Sequence, residues 1–208
     1  MDETVEQLKK MSTSTVGDTL DRLGIAGHCF GILPLDPSFR LCGRAFTMRT
    51  LPADTSGGTV GDYIDDVPPE RVITIDNAGR LDATVWGDIM TLAAVKLGIA
   101  GSVLDGVCRN VSRSLDLGYP VFSRGRSMRT GKNRVARDAM NVTVSIGGVR
   151  VSDGDLLLGD ADGVVVVPRA RESEILELAQ KVDTREANIR EALENGMRLE
   201  EARKKWRL

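Results

Sequence analysis

The sequence predicts an α/β fold, with helices packed on a mixed sheet and a helical C-terminal end, and three observations predict it. Between residues 72 and 122, β-prone runs alternate with helical patterns, as βαβ units with parallel strands require. Between residues 141 and 167, short strands follow one another across Gly and Asp turns, which is an antiparallel texture. From Arg169 the chain is charged, and its apolar residues recur at helical spacing. A chain of 208 residues that is 41% hydrophobic can bury one substantial core, and a single domain over 1–208 is expected.

In order along the chain, residues 1–24 read as two short helices. Val5, Leu8 and Met11 lie in the first; Val16, Leu20 and Leu23 lie in the second, with Ser14 or Thr15 as its cap. Leu33 to Leu51 carries Pro-punctuated turns and the β-prone run Arg44-Ala45-Phe46-Thr47-Met48, and Pro52 to Gly61 reads as a loop able to line a site. Val72 to Ile75 is a strand. A helix follows from Asp88 to Leu97, stopped by Gly98, with Ile89, Leu92, Ala93 and Leu97 expected against the sheet. Ser102 to Leu104 and Pro120 to Phe122 are strands flanking a short helix after Arg109. Asn141 to Ile146, Val149 to Val151, Asp155 to Leu158 and Gly163 to Val167 are the later strands, and Pro168 closes the last. In the helical segment 169–208, Ile175, Leu178, Ala179, Val182, Ile189 and Leu193 share one face, and Arg198 to Leu208 reads as a solvated helix or a partner contact.

The formal net charge of -2 provides no general attraction to nucleic acid or an anionic membrane, so neither is expected as a partner and any anion site must be local. Cys29, Cys42 and Cys108 lack CxxC spacing, which argues against a disulfide framework or zinc site and fits a reducing cytoplasm. MDETVEQLKK has no apolar stretch behind it, and no apolar run approaches the roughly 18 residues of a membrane span. A cytoplasmic location is expected.

Within this frame one place can carry chemistry. The helix starting at Asp88 follows a strand and Gly87, so the N–H groups of Ile89 and Met90 are free to point at an anion, with the helix dipole behind them. Arg109 emerges one strand later, just past Asp105-Gly106. In a parallel sheet both positions lie on the edge where ligands bind. An Arg fork with two backbone donors suits a small carboxylate or phosphate. The same pattern also fits a plain helix cap at Asp88 and a surface ion pair at Arg109.

The run WGDIMTLAAVKLGIAGSVLDGVCRN, followed by GYPVFSRG and GDLLLGDADGVVVVP, resembles the RraA-like family from about Ser14 to about Gly196. Its most specific element is the spacing of Asp88 and Arg109, with twenty residues between them. That family includes class II aldolases acting on 4-hydroxy-4-methyl-2-oxoglutarate and 4-carboxy-4-hydroxy-2-oxoadipate, and the regulator of ribonuclease E activity. The resemblance implies a swivelling phosphohistidine-domain-like α/β sandwich or barrel, assembled as a homotrimer or a dimer of trimers. It also implies that Gly87, Asp88, Ile89, Met90 and Arg109 bind the pyruvyl part of a small 2-oxo carboxylate substrate. Asp88 would orient a metal-bound water as acid or base, and a neighbouring subunit would add a catalytic carboxylate, best placed at Glu186.

The expected cofactor is Mg²⁺ or Mn²⁺, and the family's metal ligand is an Asp directly after the Arg; here Asn110 stands there. A neutral amide oxygen can still reach a cation, but it holds one less well than a carboxylate. The implied reactions are aldol cleavage to pyruvate and decarboxylation of oxaloacetate, which share one enolate. Two alternatives follow from Asn110: a non-catalytic relative whose partner is ribonuclease E, and a metal-independent enzyme in which Asn110 and Arg113 recognise another oxo-acid. Among the remaining residues, Lys96 reads as a helix flank, His28 as a loop or core residue, Cys108 as packing and Asp160 to Gly163 as a β-turn.

Overall fold

The computed structural model describes residues 2–54 and 61–206. Four strands run side by side in parallel: β2 (Leu41–Pro52), β3 (Arg71–Trp86), β4 (Gly101–Cys108) and β5 (Val121–Arg126). All eight residues of β4 are buried, as the centre of a sheet covered on both faces requires. β1 (Leu33–Pro34) lies antiparallel beyond β5. On the other side, the start of β2 pairs antiparallel with β9 (Leu156–Asp160), which forms a hairpin with β10 (Gly163–Val167). The end of β2 pairs with β6 (Val135–Met140), and β7 (Val144–Ile146) and β8 (Val149–Val151) form a separate hairpin. The fold is mixed α/β on a mixed sheet.

One face of the sheet is closed by α1 (Glu3–Leu8), α2 (Thr13–Arg22) and α5 (Glu172–Glu194), which bury Leu8, Val16, Leu20, Ile175 and Ala179 against Leu156, Leu158 and Val165. Each fully buried aliphatic side chain contributes about 1.5–3 kcal/mol. Arg44 ties the start of α1 to the start of α5, reaching Asp2 at 2.5 Å and Glu172 at 3.0 Å. α6 (Leu199–Trp206) folds back on the end of α5 over Ile189 and Ala192. α3 (Asp88–Lys96) and α4 (Val111–Asp116) belong to the opposite half, where Met90 and Ala94 pack with Phe46, Ile75, Trp86 and Tyr119.

Four details differ from the sequence reading. Ser12, rather than Ser14 or Thr15, caps α2, because its hydroxyl accepts from the Thr15 amide at 3.1 Å. β3 extends to Trp86, past Ala78 and Gly79 at φ 51° and 68°, whose turn-like conformation hides the strand's second half. β6, with its charged Arg137 and Asp138, lacks strand alternation and was not anticipated. The buried face of α3 is Met90, Thr91 and Ala94, with Ala93 and Leu97 partly packed, whereas Ile89 is 78% and Leu92 37% exposed. Part of the expected loop, residues 55–60, lies outside the described residues. No helix among the described residues is long and apolar enough to cross a membrane.

Candidate functional site

Register brings the two halves of the site together. Trp86 and Cys108, the last residues of β3 and β4, are strand partners, so Gly87 and Arg109 leave the sheet side by side at its carboxyl edge. The Arg109 amide donates to the Trp86 carbonyl at 3.0 Å, holding the two exits together. Asn110 then turns the chain into α4 in the left-handed region, φ 54° and ψ 43°, which Asn tolerates better than most residues.

At Gly87 the backbone is extended, and its carbonyl accepts the first helical bond of α3 from the Thr91 amide at 3.0 Å. The amides of Asp88, Ile89 and Met90 precede that bond, so none has an acceptor inside the helix, and together they form the positive end of its dipole. The side chain of Ile89 points to solvent and that of Met90 into the core, so backbone rather than side chain faces the anion position. The stem of Arg109 crosses Gly87: a Cβ there would lie 3.4 Å from Arg109 Cγ and Nε. Among the described residues the Arg109 guanidinium has no carboxylate partner.

Buried hydrogen bonds hold this corner in place. The Trp86 indole Nε1 donates to Thr91 Oγ1 at 3.0 Å, and that hydroxyl donates to the Gly87 carbonyl at 3.0 Å. Tyr119 stacks on Trp86 with ring centroids 5.9 Å apart and bonds Ser102 Oγ at 2.9 Å. The start of α3 is therefore fixed by the core beneath it.

A cavity of about 440 Å³ opens over Gly87 to Met90 and Arg109. Its other wall, which the sequence reading missed, is Thr130-Gly131-Lys132, with Gly61 nearby. A Cβ at Gly131 would come 2.1 Å from the Thr84 carbonyl, so only glycine lets this loop lie so close to β3. A basic, Gly-containing turn was the available signal. Asp88 also lines the cavity and, among the described residues, is the one carboxylate that does.

Asn110 faces a second cavity of about 430 Å³, which it lines with Arg109, Val111, Arg126, Ser127 and Met128. Its Oδ1 lies 3.4 Å from the position of a Gly87 Cβ. Mg²⁺ and Mn²⁺ are hard cations that favour carboxylate oxygens. Here the position offers one neutral amide oxygen in a cavity shared with two guanidinium groups, a donor set that does not fit a divalent cation. Among the described residues, no three His, Cys, Asp or Glu side chains cluster as a metal site.

The structure does not bring Glu186 to this edge within one chain. It lies on α5, where its carboxylate accepts from Thr15 Oγ1 at 3.2 Å and sits 3.6 Å from Arg190. Lys96 is exposed in the last turn of α3, His28 lies against Gly17, and Cys108 is buried with its thiol pushed up by desolvation. Asp160 and Asp162 flank the β9–β10 turn, and Asp160 also accepts from the Thr13 amide at 2.8 Å.

A family model described as RraA-like, Aldolase/RraA, matches residues 13–166. Over 99% of its length the chain is 36% identical to protein DlpA of Legionella pneumophila, and it spans 34% of that protein. It is 34% identical to a protein of Halalkalibacterium halodurans named "Putative 4-hydroxy-4-methyl-2-oxoglutarate aldolase", over 85% of this chain and 82% of that one. Among solved structures, an uncharacterized protein from Pseudomonas syringae pv. tomato matches with a TM-score of 0.91 at 40% identity, covering 98% of each chain.

Proposed function

The chain belongs to the RraA-like family, and from that membership and the geometry of its site we propose a carbon–carbon lyase that releases pyruvate from 2-oxo acids of the 4-hydroxy-4-methyl-2-oxoglutarate type. Oxaloacetate decarboxylation is its side reaction. The observation that carries this reading is the juxtaposition, over one cavity, of three α3 amides that have no acceptor inside the helix with an Arg109 that is unpaired among the described residues. The family alone would not carry it, since one scaffold hosts several functions.

In the proposed step, the substrate carboxylate lies on the Ile89 and Met90 amides, and its C2 carbonyl oxygen takes the Arg109 guanidinium. A base removes the proton of the C4 hydroxyl; the Asp88 carboxylate is the group in the cavity able to do so, directly or through water. The C3–C4 bond then breaks. Its electron pair forms the C2–C3 enolate, while C4 becomes the carbonyl of the second product. Donors already aimed at the enolate oxygen stabilise it without reorganisation. Return of the proton to C3 completes pyruvate. In oxaloacetate, loss of CO₂ leaves the same enolate. No step is routed through a metal, because the residues around Asn110 do not fit one, and Glu186, engaged with Thr15, is given no step.

Asn110 also favours a second reading, an RraA-like protein that binds a 2-oxo acid without turning it over, with ribonuclease E as its partner. Pyruvate release from 4-hydroxy-4-methyl-2-oxoglutarate and from oxaloacetate separates the two. The lyase reading expects turnover that survives chelation and falls about a hundredfold in Arg109→Ala, the scale of losing an enolate-stabilising donor. Pyruvate binding without turnover of either substrate would leave the second reading. Activity abolished by chelation and restored by Mg²⁺ or Mn²⁺ would overturn the metal-free step.

A further inference from the structure

We infer that the cavity at Asn110 is a second anion subsite, in which Arg126 and Arg109 bind a second negative group of the substrate. It rests on the lyase reading of the adjoining cavity and names which 2-oxo acids that site selects: dianions over monoanions such as pyruvate. Arg109 lines both cavities, so a ligand held at one end by the α3 amides can extend past Arg109 into the other.

The placement of Arg126 follows from register. It is the last residue of β5 and the strand partner of Cys108, and the next amide, that of Ser127, donates to the Cys108 carbonyl at 2.9 Å. Arg126 therefore leaves the sheet beside the strand end that carries Arg109. Of the arginines nearby, Arg124 has Asp105 as its partner and Arg80 and Arg129 have Asp82, while Arg113, which lines neither cavity, has no carboxylate partner among the described residues. Among the described residues, Arg109 and Arg126 have none, and no carboxylate lines the cavity they share. Two unpaired guanidinium groups on one cavity repel each other, and an anion between them removes that cost. Asn110 suits such a site because its amide can donate as well as accept, whereas an aspartate there would itself occupy the position.

Carboxylate and phosphate share this chemistry, and the test distinguishes them. Binding of pyruvate, 2-oxoglutarate and phosphonopyruvate to the full chain is measured by calorimetry for the wild type and for Arg126→Gln, Arg126→Lys and Asn110→Asp. In Arg126→Gln, the affinity for each dianion relative to pyruvate is expected to fall about tenfold, which corresponds to ~1.4 kcal/mol. Arg126→Lys should recover part of the ratio, and Asn110→Asp should lower it. The dianion that binds more tightly to the wild type shows whether the second group is a carboxylate or a phosphate. An unchanged ratio in Arg126→Gln would overturn the subsite, and if pyruvate release persisted the lyase reading would stand alone. Dianion binding that depends on Arg126, without pyruvate release, would keep the subsite and remove the lyase.

Discussion

The stem of Arg109 lies against the backbone of Gly87, where a Cβ would meet Arg109 Cγ and Nε at 3.4 Å. At φ -160° the Gly87 backbone suits any residue, so only side-chain bulk matters there. At that separation a single methyl makes ordinary contact, and Gly87→Ala should leave pyruvate affinity within about threefold. Gly87→Val adds branches that push the guanidinium aside. It should weaken pyruvate binding about tenfold or more, on the order of one charge-assisted hydrogen bond. Calorimetric titration of both variants checks this, and equal affinities would show that Arg109 does not depend on the contact.

Thr91 carries the start of α3. Its hydroxyl accepts from the buried Trp86 indole and donates to the Gly87 carbonyl, both at 3.0 Å. Thr91→Val keeps the shape and leaves the indole N–H buried without an acceptor. We expect a loss of about 1–3 kcal/mol in urea unfolding. Thr91→Ser, which keeps the hydroxyl, should cost less.

These two predictions involve parts of the chain that were legible to different degrees. The helix start at Asp88 and the position of Arg109 could be read in advance because alternating strands and helices imply parallel strands, and parallel strands deliver their loops to one edge. Register was not legible. The pairing of Trp86 with Cys108 depends on β3 continuing past Ala78 and Gly79, which read locally as a turn. Ile89 and Leu92 fitted the helical period as well as Met90 and Ala94 did. What selects the buried face is Thr91 reaching Trp86, a contact between elements that periodicity cannot contain. The wall at Gly131 is hidden for the same reason, since it depends on a close approach to the Thr84 carbonyl.

The three cysteines are buried and unpaired, and burial pushes the thiols of Cys29 and Cys42 up to about 12. At pH 8 all three should be protonated and shielded, so a thiol reagent should label none of them in the native protein and all three in urea. The sign for stability follows. The unfolded chain ionises its thiols near the reference value of 9.0, while the folded chain holds Cys29 and Cys42 protonated to about 12. Their contribution is complete below pH 9 and is lost as pH rises from about 9 to about 12. Urea midpoints measured across that range should fall with pH, and Cys42→Ala should flatten part of the slope.

Tyr63 is a buried phenol whose hydroxyl has no hydrogen-bond partner among the described residues, stacked on Phe46 with ring centroids 6.2 Å apart. An unpaired buried hydroxyl costs roughly 1–3 kcal/mol, so removing it relieves the folded state while leaving the ring in place. Tyr63→Phe should therefore raise Tm by about 2–4 °C, the shift expected from ~1 kcal/mol in a chain of this size. Tyr119 provides the opposite sign. Its hydroxyl bonds Ser102 Oγ at 2.9 Å, so Tyr119→Phe leaves a buried serine short of a partner and should lower Tm. Desolvation by burial raises both phenols above their ordinary range, so neither tyrosine should ionise in the native protein as alkali is added. Tyrosinate absorbance should then appear together with unfolding. A separate step that precedes unfolding and is absent from Tyr63→Phe would show that solvent reaches the Tyr63 hydroxyl, and the stabilisation expected from its removal would have no basis.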